Sequence, residues 1–96
     1  MRPSEAFERN RALIREMVAN HNTANPRVFG SVLHGTDKEG SDVDILVDAL
    51  PGTTLFDLGG LESDLEEALG VSVQVTTSGG LHRFIRDRVL AEASPV

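Results

Sequence analysis

A chain of 96 residues has room for one modest hydrophobic core, so residues 1–96 are expected to form a single domain. Its formal charge of −6, with four phenylalanines as the only aromatic residues, excludes a protein that coats nucleic acid. Such binding rests on Lys, Arg and stacking platforms. No cysteine is present, which excludes disulfides, thiolate nucleophiles and zinc–cysteine sites, and no apolar run is long enough to span a membrane. Both features are those expected of a cytoplasmic protein.

The first element is expected to be one amphipathic helix from Ser4 to about His21, with Ser4 as N-cap and Glu5 in its first turn. Phe7, Leu13, Ile14, Met17 and Val18 recur at helical spacing along one face, and Arg9, Arg11, Arg15 and Glu16 cover the rest. Asn25 and Pro26 end it, because the residue before proline disfavours helix.

An apolar run, Arg27 to Phe29, then stops at Gly30-Ser31, and a short helical turn closes at Gly35. A polar loop (Thr36 to Gly40) leads into Ser41-Asp42-Val43-Asp44-Ile45-Leu46-Val47. Strand side chains alternate, so Asp42 and Asp44 point one way and Val43, Ile45 and Val47 point the other. Two neighbouring carboxylates repel each other unless a cation lies between them. Mg²⁺ is typically held by one or two carboxylates together with substrate phosphates. Glycine lets a ligand approach the backbone closely, and Ser31 offers a hydroxyl and free N–H groups to an anion. Together these pieces read as a metal–triphosphate site. Asp48 continues the alternation, but it lies about 13 Å along the strand from Asp44, too far to share its metal. His34 and Lys38 read as surface side chains.

Pro51-Gly52 ends the strand. Thr54 to Asp57 then has the form of a capping box opening a helix that runs to Gly70. Leu55, Leu58, Leu61, Leu65, Ala68 and Leu69 are expected inward, and Glu62, Asp64, Glu66 and Glu67 outward. Gly59 and Gly60 imply close packing or a bend. Val71 to Thr76 alternates as a half-buried strand with Gln74 facing outward. A last helix, Leu81 to about Ala93, should bury Leu81, Phe84, Ile85 and Val89 and expose a basic patch of His82, Arg83 and Arg86. Ser94 to Val96 reads as a tail.

Gly30-Ser31, ten intervening residues and Asp42-Val43-Asp44 resemble the signature of the DNA polymerase beta-like nucleotidyltransferase superfamily. The likeness to its minimal nucleotidyltransferase (MNT) branch extends through the Leu55–Gly70 helix, the following strand and the Phe84-Ile85-Arg86-Asp87-Arg88 stretch of the last helix. The resemblance implies an α+β fold, a mixed sheet flanked by helices. It implies that Asp42 and Asp44 bind Mg²⁺ bridging the triphosphate of ATP, while Gly30 and Ser31 hold its β and γ phosphates. It also implies a partner, since similar proteins act as antitoxins of HEPN-domain RNase-type toxins, and some transfer AMP onto a toxin tyrosine. A hetero-oligomer with such a toxin is therefore expected.

Two positions depart from the family pattern. A third carboxylate is usual where this chain has Gln74, and arginines are frequent where it has Val32 and His34. The leading expectation is a protein adenylyltransferase antitoxin. The alternative is a catalytically impaired relative that neutralises the toxin by binding it. A transferase for a small molecule fits less well, because the chain has no evident substrate domain.

Overall fold

The computed structural model describes residues 1–96. Strand β1 (Thr23–Phe29) and strand β2 (Val43–Ala49) run antiparallel, with Phe29 opposite Asp44. Strand β3 (Val73–Thr76) lies parallel to β2, placing Gln74 beside Asp44. Strand β4 (Ser94–Pro95) pairs with the other side of β1, so the sheet order is β3-β2-β1-β4. This is the mixed sheet flanked by helices that the sequence implies.

The alternation in β2 sorts the two faces. Val43, Ile45 and Val47 are fully buried in the larger core with Ala6, Phe7, Ile14, Val18, Leu61, Leu65 and Leu69. Helices α1 (Pro3–Arg9), α2 (Arg11–Asn20) and α4 (Leu55–Leu69) supply those partners. Leu46 is equally buried on the opposite face, against Leu81 and Val89, with Phe29 and Ala93 packed beside them. Helix α5 (Arg83–Glu92) therefore lies on the face that carries Asp44. A full burial of Leu or Val is worth about 1.5–3 kcal/mol, so this second core is a small anchor.

Part of the remaining hold on α5 comes from residues expected to be a tail. Arg27 pairs with Pro95 and Val28 with Ser94, and the Val96 N–H donates to the Pro26 carbonyl at 3.0 Å. Arg11 and Arg15 donate to the carbonyls of Pro95 and Val96. The segment is an edge strand because β1 would otherwise leave a row of backbone groups unpaired.

The expected first helix is two helices. Asn10 breaks it at φ −125° and ψ 19°, and its side-chain amide donates back to the Ala6 carbonyl at 2.7 Å. A short amide side chain competes in this way with the helical ladder. Ser4 is not the N-cap; Arg2 is, and Pro3 occupies the first helical position, where its missing N–H is no loss. The Ser4 N–H instead donates at 2.8 Å to Asp37, a buried carboxylate of the polar loop that also accepts from Arg2 at 3.1 Å.

In α4 the capping box forms as expected. The Thr54 hydroxyl accepts from the Asp57 N–H at 3.2 Å, and Asp57 accepts from the Thr54 N–H at 2.8 Å. Gly70 closes the helix at φ +71°, a left-handed conformation that suits glycine. The buried stripe is narrower than expected: Leu61, Leu65 and Leu69 face the core, whereas Leu55 and Ala68 are exposed. Glu62 does not merely face solvent, since its carboxylate accepts the Val75 N–H of β3 at 2.9 Å.

Neither glycine in α4 is demanded by close packing. A Cβ at Gly59 would meet nothing within 4 Å, and one at Gly60 would touch only His21 Cδ2 at 3.7 Å. Gly59→Ala should therefore stabilise the fold by about 1 kcal/mol, from helix propensity and reduced freedom of the unfolded chain. The corresponding rise in Tm is about 4–8 °C. A thermal melt that falls instead would mean the helix needs the glycine.

β3 begins at Val73, two residues later than expected, and Thr77 to Gly80 contains one turn of 3₁₀ helix (Ser78–Gly80). In α5 only Leu81, just before it, and Val89 are buried. Phe84 is 77% exposed and Ile85 38% exposed. The small second core reaches only two points along this helix, so its apolar face is half covered.

Candidate active site

Gly30 follows β1 directly and opens the short helix α3 (Gly30–His34), which Gly35 closes at φ +70°. Asp44 sits one residue into β2, directly across from Phe29. This register drives the Gly30 backbone against the Asp44 side chain. A Cβ at Gly30 would lie 2.2 Å from Asp44 Oδ2, and Gly30 itself has φ +72°. The sequence offers glycine here as room for a ligand; in the fold that room already seats a carboxylate.

Asp42 lies at the mouth of β2 and is exposed, while Asp44 is half-buried. Gln74 occupies the next strand at the same level as Asp44 and is exposed. Asp44 and Gln74 are thus register partners on adjacent parallel strands, and Asp42, just before β2, is near enough for its charge to act on Asp44. Burial first, and the charge of Asp42 second, push the Asp44 carboxyl up to about 6. Both causes penalise the anion, and a divalent cation between the two carboxylates relieves both. No group of three His, Cys, Asp or Glu residues forms a complete metal cage. Two carboxylates with the remaining ligands taken from phosphate and water is the set that suits Mg²⁺. The residues present fit that ion.

Ser31 is partly exposed on α3 and lines a cleft of 480 Å³ between α3 and α5. Gly30, Ser31 and His34 form one wall; Ile85, Arg88 and Glu92 form the other. His34, read from sequence as a surface side chain, bonds through Nε2 to the Glu92 carboxylate at 3.0 Å across the cleft. Lys38 is exposed, and its backbone N–H donates to the Ser41 hydroxyl at 3.0 Å, shaping the turn before Asp42. Asp48 plays no part here and pairs with Arg27 and Asn25 at the far end of β2.

The basic patch expected on α5 is largely engaged elsewhere. His82 Nδ1 accepts the Phe84 N–H at 3.3 Å, the Arg83 guanidinium lies 5.0 Å from the Phe84 ring centroid, and Arg86 donates to the Leu81 carbonyl at 3.0 Å.

Two residues escaped the sequence reading. Asp37 is buried and is held well below the usual carboxylate range, chiefly by the Ser4 N–H and also by Arg2. It ties the loop between Gly35 and Asp42 to the start of α1. Arg88 reaches the cleft only because of the rotational setting of α5 on the sheet. Neither position carries a local signal.

A glycine-serine turn meeting a pair of strand carboxylates on this sheet defines a nucleotidyltransferase domain. The chain belongs to that family, whose nucleotidyltransferase domain matches residues 11–95. Within it, the chain is related to the minimal nucleotidyltransferases of the protein adenylyltransferase type. It is 40% identical over 80 residues to MJ0435 of Methanocaldococcus jannaschii, provisionally named a protein adenylyltransferase. That match covers 83% of this chain and 86% of the relative. It is 43% identical over 65 residues to the protein adenylyltransferase MntA of Thermococcus cleftensis, covering 68% of this chain and 66% of that protein. A solved structure provisionally named a minimal nucleotidyltransferase superposes with a TM-score of 0.86 at 39% identity, over 97% of this chain and 95% of the other. The crystal structure of a toxin–antitoxin with AMP-PNP shares the fold, with a TM-score of 0.76 at 22% identity, over 90% of this chain and 71% of that one.

Proposed function

We propose that this protein is an antitoxin that transfers AMP from ATP to a hydroxyl, that of a tyrosine, of a HEPN-type toxin. The observation that carries the reading is the convergence of the Gly30 backbone, Asp44 and Asp42 where β1 meets β2. A structural remnant has no need of two adjacent carboxylates, one of them half-buried at a cost in charge. The kinship with protein adenylyltransferases and the likeness in fold to a nucleotide-bound toxin–antitoxin support it. The chain contains no tyrosine, so a tyrosine acceptor belongs to another molecule.

In this reading Asp42 and Asp44 hold Mg²⁺. When bound, the ion supplies charge neutralisation and polarisation at the reacting phosphate. Gly30 and Ser31 present backbone N–H groups and a hydroxyl to the β and γ phosphates. These contacts orient the nucleotide so that the α-phosphorus faces the acceptor. The acceptor oxygen forms its bond to that phosphorus as the bond to pyrophosphate breaks, its proton passes to solvent water, and AMP remains on the partner. Gln74 stands where a third carboxylate would take the acceptor's proton, and an amide cannot do so. Gln74→Asp should therefore raise the rate of transfer, by up to about 10²-fold, the lower end of what a general base contributes. An unchanged rate would show that this position lies outside the reaction.

Gln74 also favours a second reading, an antitoxin that inhibits by binding alone. Intact-mass measurement of the partner after incubation with this protein, ATP and Mg²⁺ separates the two. Gains of whole AMP units establish transfer. An unmodified partner that co-elutes with this protein and loses its RNase activity establishes inhibition by binding.

A further inference from the structure

The cleft between α3 and α5 holds three side chains of variable or fixed charge: His34, Arg88 and Glu92. His34 and Glu92 are bonded to each other across it at 3.0 Å. Arg88 is exposed and joins none of the chain's ion pairs. It is the only permanent cation in the cleft. Asp87 precedes it in sequence but points around the helix, since i,i+1 neighbours do not face each other; the carboxylate at the i+4 position, where an ion pair can form on a helix, is Glu92. Glu92 is turned away to His34 on the opposite wall.

The site beside this cleft needs positive charge. Asp42 and Asp44 contribute two negative charges when ionised, and a nucleoside triphosphate adds three to four more. One divalent ion cannot balance that sum. A guanidinium presents paired N–H donors that match two phosphate oxygens. Ser31 and Arg88 line the same cleft from opposite walls, so a phosphate chain entering at Ser31 meets the arginine.

We infer that Arg88 binds the polyphosphate tail of the nucleotide, and that His34 is a positioning residue that keeps Glu92 from neutralising it. The inference rests on the nucleotidyltransferase reading above and adds to it a second, helix-borne wall of the substrate site. It predicts that the protein discriminates tri- from monophosphates through α5.

Calorimetric titration of the full chain with ATP and, separately, AMP, each with Mg²⁺, tests this. Arg88→Ala should weaken ATP binding about tenfold, the value of a charge-assisted hydrogen bond, and should change AMP binding much less. The salt dependence of ATP binding should flatten in the same variant, and Arg88→Lys should recover part of the loss. His34→Ala should also weaken ATP binding, and His34→Ala combined with Glu92→Gln should restore it. Arg88 and His34 are both exposed, so a melting temperature close to that of the parent chain is expected in each variant. Equal losses for ATP and AMP in Arg88→Ala, or no loss, would overturn the role of Arg88. Failure of Glu92→Gln to restore binding would overturn that of His34. If the parent chain binds no ATP, the nucleotidyltransferase reading falls as well, which distinguishes the two failures.

Discussion

Gly30→Ala should yield a folded protein that has lost at least about 10² in transfer rate. Two costs coincide at this residue. A side chain in the left-handed region, here φ +72°, costs about 1–2 kcal/mol. The new Cβ would also stand 2.2 Å from Asp44 Oδ2, so the carboxylate must swing away. Its oxygen is the end of a flexible side chain, and the sheet need not open to release it. The damage therefore falls mainly on the site, where misplacement by about 1 Å can cost 10²-fold. Thermal melts and transfer assays on the same preparation check both halves. A variant that keeps full activity would mean that Asp44 does not act from the position seen here.

Asp44→Asn should lose transfer by about 10³ while making the protein more stable at neutral pH. On the proposed function, the loss follows from removing one of the two carboxylates that would hold Mg²⁺. That contribution is worth several kcal/mol, at 1.36 kcal/mol per tenfold. The gain follows from linkage. The Asp44 carboxyl is raised from 3.8 to about 6, first by burial and then by Asp42, so the folded chain holds that proton more tightly than the unfolded chain. Stability from this group is complete below the lower value and is lost as pH rises through about 6. Without divalent ions, the parent protein should weaken across that window by up to about 3 kcal/mol, less whatever solvent screening returns. The asparagine variant should show no such slope. Melts at pH 4.5 and 7.5 in the presence of a chelator decide the matter, and parallel curves would exclude the charge penalty. Asp42→Ala should match the loss of transfer with a smaller effect on stability, because Asp42 is exposed.

The elements that were legible in the sequence are those whose causes are local. Alternation in Val43 to Val47, the Thr54–Asp57 capping box and the glycine ends at Gly35 and Gly70 all depend on near neighbours. The elements misread depend on distant partners. Ser4 resembles an N-cap, but its N–H is taken by Asp37 from a loop 33 positions away. Ser94 to Val96 has the composition of a tail until the bare edge of β1 is in place. Phe84 and Leu55 fit a helical stripe, yet the surfaces available to α5 and α4 are narrower than the stripes. The site divides in the same way. The setting of Asp44 opposite to the buried Val43 and Ile45 follows from period-two alternation. The contact of Gly30 with Asp44 and the reach of Arg88 follow from cross-strand register and helix rotation, which no short window of sequence encodes.

The sheet ends on β3, whose outer side faces no further strand. Its Val75 N–H is already bonded to Glu62, a charged side chain lying along that border. An incoming strand from another molecule would have to displace a carboxylate before it could zip on, and only four residues would reward it. Short, acid-guarded borders of this kind resist edge-to-edge aggregation. That protection keeps a small chain from sticking to its own copies through a border of the sheet that carries no further strand.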